Sequence, residues 1–172
     1  TSAERARGAE LLELAVRGGD LGLWDLHVPS GRVTVNEREC TMLGYTLEEA
    51  ARGEPEWRSL VHVDDRAPLN AAMARPLAGE MAFYEREVRL RHKKGHWIWV
   101  LSRAVVVERD AAGTPARIVG THMDISQRVA ERQAAQRTAD LLQRMGALAR
   151  VGGWELDLET NRIEWTDEVY RI

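Results

Sequence analysis

The sequence predicts an α+β protein with a five-stranded antiparallel sheet and short helices on one face. Apolar residues alternate with polar ones over 21–35 and again from 82 onward, which is the period of β-strands, while helix-capping signals fill the interval between these runs. Near residue 125 an extended run changes into a long segment rich in Ala, Gln, Arg and Glu, which is typical of a helix. An N-terminal cap helix and a C-terminal linker helix complete the predicted architecture.

The chain begins with a predicted helix over residues 2–17, which Gly18 and Gly19 end. The runs 21–28 and 32–35 follow, separated by a Pro-Ser-Gly turn, and this spacing predicts a β-hairpin.

Short helices are predicted next, because capping signals recur. Asn36 precedes Glu39 by three residues and Thr46 precedes Glu49 by three, so each pair predicts a capping box at a helix start. The pair Asp64-Asp65 predicts the start of a further helix, which ends near Gly79.

Three strands and a helix complete the predicted order. The strands begin at 82, 96 and 116, and the turns between them contain Lys93-Lys94-Gly95 and Asp110–Pro115. The strand from 96 to 107 is apolar on both faces, so we expect its outer face to be covered.

The last strand runs directly into the linker helix, and Asp124, Ile125 and Ser126 lie at the change. We interpret this junction as a signal relay, because a strand that ends in a rigid helix can carry a displacement out of a domain. The alternative is that Asp124 and Ser126 only cap the helix.

Composition narrows the class of protein. Lys and Arg are interleaved with Asp and Glu and the net charge is −3, so we predict no nucleic-acid partner. The single cysteine, Cys40, excludes an internal disulfide, and no apolar run approaches the ~20 residues of a membrane helix. We therefore expect a cytoplasmic protein with no membrane segment in this stretch, and we expect both ends to continue in a longer chain.

An internal repeat sets the predicted domain boundaries. A shift of 130 positions aligns Trp24 with Trp154 and Leu26 with Leu156, so a second copy of the same unit begins near 139. Because a lone hairpin is marginal, residues 152–165 should be disordered or borrow a sheet. The predicted segments are a cap helix (1–19), a domain (20–125), a linker helix (126–150) and a truncated second domain (151–172).

Several short motifs occur in a recognisable order over 20–128. They are Gly22-Leu23-Trp24-Asp25, Gly44-Tyr45, His62-Val63-Asp64-Asp65-Arg66, Lys94-Gly95 and Asp124-Ile125-Ser126. In this order they resemble a PAS domain with its C-terminal PAC motif, followed by the start of a second PAS domain. The pattern departs at Val63, where the family usually has Pro, and at Lys94, where it usually has Asp.

The resemblance implies a PAS fold and a non-catalytic sensory and dimerisation module of a bacterial signal-transduction protein. It implies relay through the exit helix to a histidine kinase of a two-component system or to a diguanylate cyclase. We expect a homodimer through the cap and linker helices and the outer sheet face, with a small-molecule or partner signal. The alternatives are a haem- or flavin-binding redox, gas or light sensor, and a purely structural dimerisation spacer.

Six side chains are candidates to line a pocket. Core packing explains the tryptophan and methionine among them equally well, and a core histidine is the alternative for His122. Arg86 is the most informative, because an inward charge requires an anionic partner. The candidates are Trp57, Met73, Tyr84, Arg86, Ser102 and His122.

We predict no cofactor, no metal and no catalysis in this fragment. Cys40 lacks the Asn-x-Cys-Arg-Phe type of run that flavin-adduct cysteines of the light-oxygen-voltage family require, and the helix over 65–78 has no histidine for haem. His92 and His96 flank a turn without a third zinc ligand. The sequence shows no nucleophile–base pair, phosphate loop or carboxylate dyad.

Overall fold

Five strands form one antiparallel sheet in the order β2-β1-β5-β4-β3. Each hydrogen-bonded pair is antiparallel, and β5 lies at the centre between β1 and β4. The predicted fold class is therefore confirmed. The strands are β1 (Gly22–His27), β2 (Arg32–Val35), β3 (Tyr84–Arg91), β4 (Trp97–Arg109) and β5 (Pro115–Asp124).

The computed structural model describes residues 7, 14, 16, 18–149, 153–160, 162–165 and 169. The chain forms two units, Thr1–Ser126 and Gln127–Ile172. The predicted N-terminal cap helix over 1–19 lies almost entirely outside the described residues.

Three α-helices and a 3-10 turn connect β2 to β3. They are α1 (Glu37–Leu43), α2 (Leu47–Ala51), the 3-10 turn (Trp57–Leu60) and α3 (Val63–Leu77). Local signals set their ends: Thr46 and Glu49 form a capping box at α2, and Gly44 ends α1 with a φ of 82°, a conformation that favours glycine.

The helix α1 corrects one sequence expectation. Asn36 caps it by accepting the backbone N–H of Glu39 at 2.9 Å, but the Glu39 side chain does not return to the cap. It points into the interior and is 1% exposed. Only half of the predicted capping box therefore forms.

The core lies between the sheet and these helices. One cluster joins Met42 and Leu43 of α1 to Val88 and Val100 of the sheet, and a second packs Ile118 with α3. Leu43 and Val100 are fully buried, and each such side chain contributes about 1.5–3 kcal/mol through the hydrophobic effect. The helices therefore cover one face of the sheet.

A long helix and a hairpin follow the sheet. The helix α4 (Ser126–Ala149) begins two residues after β5 and is unbroken. The strands β6 (Trp154–Asp157) and β7 (Arg162–Trp165) form a separate two-stranded sheet and are exposed along their length. In the described part of the chain they pair only with each other and do not extend the five-stranded sheet, so borrowing a strand from a second chain stays a prediction.

Candidate functional site

A cavity of about 1020 Å³ lies between the inner face of the sheet and the helices. Its volume is at the upper end of the range of small-molecule sites, roughly 300–1,000 Å³. Strands β1 to β5 supply one wall, and α2, the 3-10 turn and α3 supply much of the other. The cavity brings together five of the six predicted candidates, namely Trp57, Met73, Tyr84, Ser102 and His122.

Arg86 is the candidate that does not reach the cavity. It lies between Tyr84 and Val88 in the inward-facing alternation of β3, yet its side chain is exposed and makes no ion pair with any residue that the structure describes. Because β3 is an edge strand, a long side chain there can extend past the sheet into water. The inward charge expected at Arg86 is therefore not observed.

A continuous chain of hydrogen bonds crosses the cavity wall. His122 Nδ1 lies 2.8 Å from Glu39 Oε1, and His122 Nε2 lies 3.0 Å from Ser102 Oγ. Ser102 Oγ lies 2.8 Å from the Tyr84 hydroxyl. The chain is buried, with Glu39 and Ser102 exposed by only 1% and 2%, and it joins α1 to three strands of the sheet.

The donor order of this chain follows from the chemistry of its ends. When Glu39 is a carboxylate it only accepts, so His122 Nδ1 donates to it, and a neutral ring then accepts at Nε2. Ser102 then donates to His122 and accepts from Tyr84. Burial raises the pKa of Tyr84, against the opposing effect of its bond to Ser102, so the phenol stays a protonated donor.

Two glycines allow this packing. An ideal Cβ on Gly22 would clash with the Glu39 carboxylate, and one on Gly120 would clash with the Trp24 indole and lie 2.6 Å from the carbonyl oxygen of Arg103. The closely packed Glu39 Oε2 and Trp24 Nε1 are buried and have no hydrogen-bond partner in the described part of the chain. Both glycines are therefore required by close approach of neighbouring atoms.

Sequence reasoning missed Glu39 and the pairing of Ser102 with His122. Glu39 is 83 residues from His122, and its position three residues after Asn36 suggests a cap instead. Ser102 and His122 are 20 residues apart and meet because they are register partners on β4 and β5. The sequence analysis did not find this serine–histidine contact, in which the Ser102 hydroxyl is held by Tyr84 as well as by His122.

The predicted relay residues lie where β5 gives way to α4. The N–H of Ile125 donates to the carbonyl of Trp99 at 2.8 Å, and the N–H of Trp99 donates to Ser126 Oγ at 3.0 Å. Asp124 Oδ1 accepts the N–H of Ser126 at 2.8 Å. Strand β4 therefore holds both sides of the junction, and Ile125 is buried there.

The other candidate groups lie outside the cavity. His92 and His96 stack with ring centroids 4.2 Å apart, and burial is the largest cause that lowers the pKa of His92. Within the described ranges no three His, Cys, Asp or Glu side chains are grouped so that they could hold a metal ion. Cys40 is fully buried, and burial raises the pKa of its thiol.

No helix in the part of the chain that the structure describes has both the length and the apolar character to cross a membrane.

Comparison with known proteins gives one family match and several similar structures. Residues 32–122 match the family described as the PAS fold. The chain is similar to a sensory box histidine kinase/response regulator from Burkholderia thailandensis E264, with 30% identity and a TM-score of 0.67, covering 77% of this chain and 98% of that one. It is also similar in fold to the N-terminal domain of a diguanylate cyclase with PAS/PAC sensor from Marinobacter aquaeolei, with 20% identity, a TM-score of 0.52 and coverage of 63% and 97%. No curated protein matches the chain.

Proposed function

The chain belongs to the PAS fold family, and on this premise we propose that it is a sensory and dimerisation module of a bacterial signal-transduction protein. The module binds a small molecule in the cavity and passes the signal through β5 to the helix α4. Its output domain is a histidine kinase or a diguanylate cyclase elsewhere in the parent protein, and the module itself is cytoplasmic and not catalytic. The names of the two similar structures support this choice of output.

The observation that carries the proposal is the position of His122. It lines the cavity and holds the buried chain to Glu39 and Ser102, and it lies on β5 two residues before Asp124. A ligand that contacts the cavity wall can therefore displace the strand that leads into the junction. It can shift output only by the difference between its affinities for the two states of the module.

Dimerisation through the outer sheet face and the helices is the second part of the proposal. On β4, Trp97, Val105 and Val107 are 42%, 39% and 46% exposed, and on α4 Leu141 and Met145 are 58% and 56% exposed. Leu141 and Met145 are four residues apart on α4, which suits a short coiled-coil seam. We expect sedimentation to give a dimer, and a monomer at high micromolar concentration would contradict this part of the proposal.

Hydrogen exchange with a neutral apolar probe tests the relay. N-phenyl-1-naphthylamine fluoresces on entering an apolar cavity, so the same sample reports binding and its consequence. We expect bound probe to change amide exchange over residues 122–128 but not over the distant turn 110–114. The variant Met73→Trp adds bulk to the cavity wall, so it should weaken probe binding and reduce the exchange change in parallel.

Two rival functions give different results in simple measurements. A haem or flavin sensor, which the large cavity volume favours, predicts visible absorbance of the purified protein. A purely structural spacer predicts that probe binding leaves the exchange over 122–128 and the melting temperature unchanged, and that result would refute the sensory proposal.

A further inference from the structure

Three arginines lie at the opening of the cavity. Arg32 of β2, Arg58 of the 3-10 turn and Arg66 of α3 all line it, and all three side chains are exposed. Because they line the cavity and also reach solvent, they form its rim. The chain thus places arginines from three separate elements on the exposed part of the lining of one cavity.

Among the residues that the structure describes, these rim arginines have no carboxylate partner, whereas several other arginines do. Arg89 and Arg117, for comparison, bind carboxylates at 2.7 Å and 2.6 Å. Arg66 instead donates to the backbone carbonyls of Val61 and Ser59, at 3.1 Å and 3.4 Å.

Arg32 and Arg58 are even less constrained. Their guanidinium groups make neither a hydrogen bond nor an ion pair with any residue in the described ranges, so they are available to a ligand. The carboxylate at the same rim, Glu56, already accepts the N–H of Ser59 at 2.8 Å. The rim therefore has an excess of positive charge.

The interior has a different character. Leu26, Leu60, Leu69 and Val88 line it, and the deep carboxylate of Glu39 is bonded to His122 and packed against Gly22. A negative group at that depth would meet the Glu39 charge, whereas the same group at the rim would meet guanidinium. An apolar body would bury its surface against the interior side chains.

The geometry points to an aliphatic carboxylate as the ligand class, with its apolar body in the cavity and its carboxylate at the arginine rim. Guanidinium matches carboxylate with two parallel N–H donors, which makes Arg32 and Arg58 suitable head-group contacts. This inference rests on the proposed function, since it names the ligand of the same cavity.

Three probes with one apolar body test the inference by calorimetry. Octanoate, octan-1-ol and octylammonium share an eight-carbon chain and differ in head-group charge. We expect octanoate to bind roughly tenfold tighter than octanol, the scale of one charge-assisted contact, and octylammonium to bind most weakly. Added salt should narrow the difference, because the rim is exposed.

Charge-matched variants locate the effect. The double variant Arg32→Gln/Arg58→Gln should bring octanoate affinity down to that of octanol and leave octanol binding unchanged. The control Arg86→Gln/Arg91→Gln makes the same change in net charge at two exposed arginines outside the cavity, and it should keep the preference for octanoate.

The inference is overturned if octanoate binds no tighter than octanol, if octylammonium binds tightest, or if both double variants lose the preference equally. In any of these cases, continued binding of octanol would leave the proposed ligand site itself intact. If neither the three octyl probes nor N-phenyl-1-naphthylamine binds, the proposed function fails together with the inference.

Discussion

Replacing Ser102 with alanine removes the hydroxyl that connects the two halves of the buried chain. Two hydrogen bonds are lost, of 2.8 Å to Tyr84 and 3.0 Å to His122. The Tyr84 hydroxyl and His122 Nε2 then remain without their partner, and each stranded buried group costs roughly 1–3 kcal/mol. Because water in the neighbouring cavity relieves part of this cost, we expect Ser102→Ala to lower the free energy of unfolding by about 2–4 kcal/mol.

The protein supplies a matched control on its surface. Ser30 Oγ lies 2.7 Å from His27 Nδ1, so Ser30→Ala breaks the same kind of serine–histidine bond where both groups are exposed. Its cost should be below about 0.5 kcal/mol, because water replaces the lost bond. Tyr84→Phe removes only the end of the buried chain and leaves Ser102 bonded to His122, so about 1 kcal/mol is expected.

Equilibrium urea unfolding followed by near-ultraviolet circular dichroism measures the three variants. An unchanged m-value would show that the shift in midpoint reports stability. The expected order of destabilisation is Ser102→Ala, then Tyr84→Phe, then Ser30→Ala. If Ser102→Ala costs no more than Ser30→Ala, the buried chain does not contribute as its geometry indicates.

Three further predictions concern packing, acid stability and the junction. Gly120→Ala should destabilise the protein by roughly 1–3 kcal/mol in the same urea assay, because its Cβ would overlap the Trp24 indole. Hydrogen bonds from Arg89 are the largest cause that lowers the pKa of Asp65. This carboxylate therefore stabilises the fold above about pH 4, and its contribution is lost as the pH falls through the pKa of the folded state. Asp65→Asn should thus flatten the acid limb of a curve of stability against pH. Ser126→Ala removes the acceptor of the Trp99 N–H, so it should speed hydrogen exchange of that β4 amide, as measured by NMR.

Each of these predictions has its own control. Gly18 has no atom within 4 Å of an added Cβ, so equal effects of Gly18→Ala and Gly120→Ala would contradict the overlap. Asp64 lies 3.7 Å from the same guanidinium and its side chain is 70% exposed, so Asp64→Asn should leave the acid limb steep. For Ser126→Ala, unequal exchange at Trp99 and Val105 of the same strand is expected, and equal acceleration would indicate general unfolding.

The candidate site divides into residues that local patterns predict and residues that they do not. Tyr84, Ser102 and His122 fall on the inward face of strands with a period of two, so their approach to a common cavity follows from the sheet. Glu39 could not be predicted, because one local pattern suits both a cap and an inward carboxylate. Arg86 falls on the inward-facing side of the alternation in β3, but the alternation alone does not show that this strand lies at the edge of the sheet.

The sequence by itself determined the order of the elements and many of their ends, because capping, glycine turns and alternation act over a few residues. Thr46, Gly44 and the change near Asp124 are examples. Only the tertiary structure decided which distant side chains meet. Glu39 and His122 are joined by packing α1 on the sheet, and the charge at the cavity rim depends on three elements that are separate along the chain, so neither could be derived from short-range patterns.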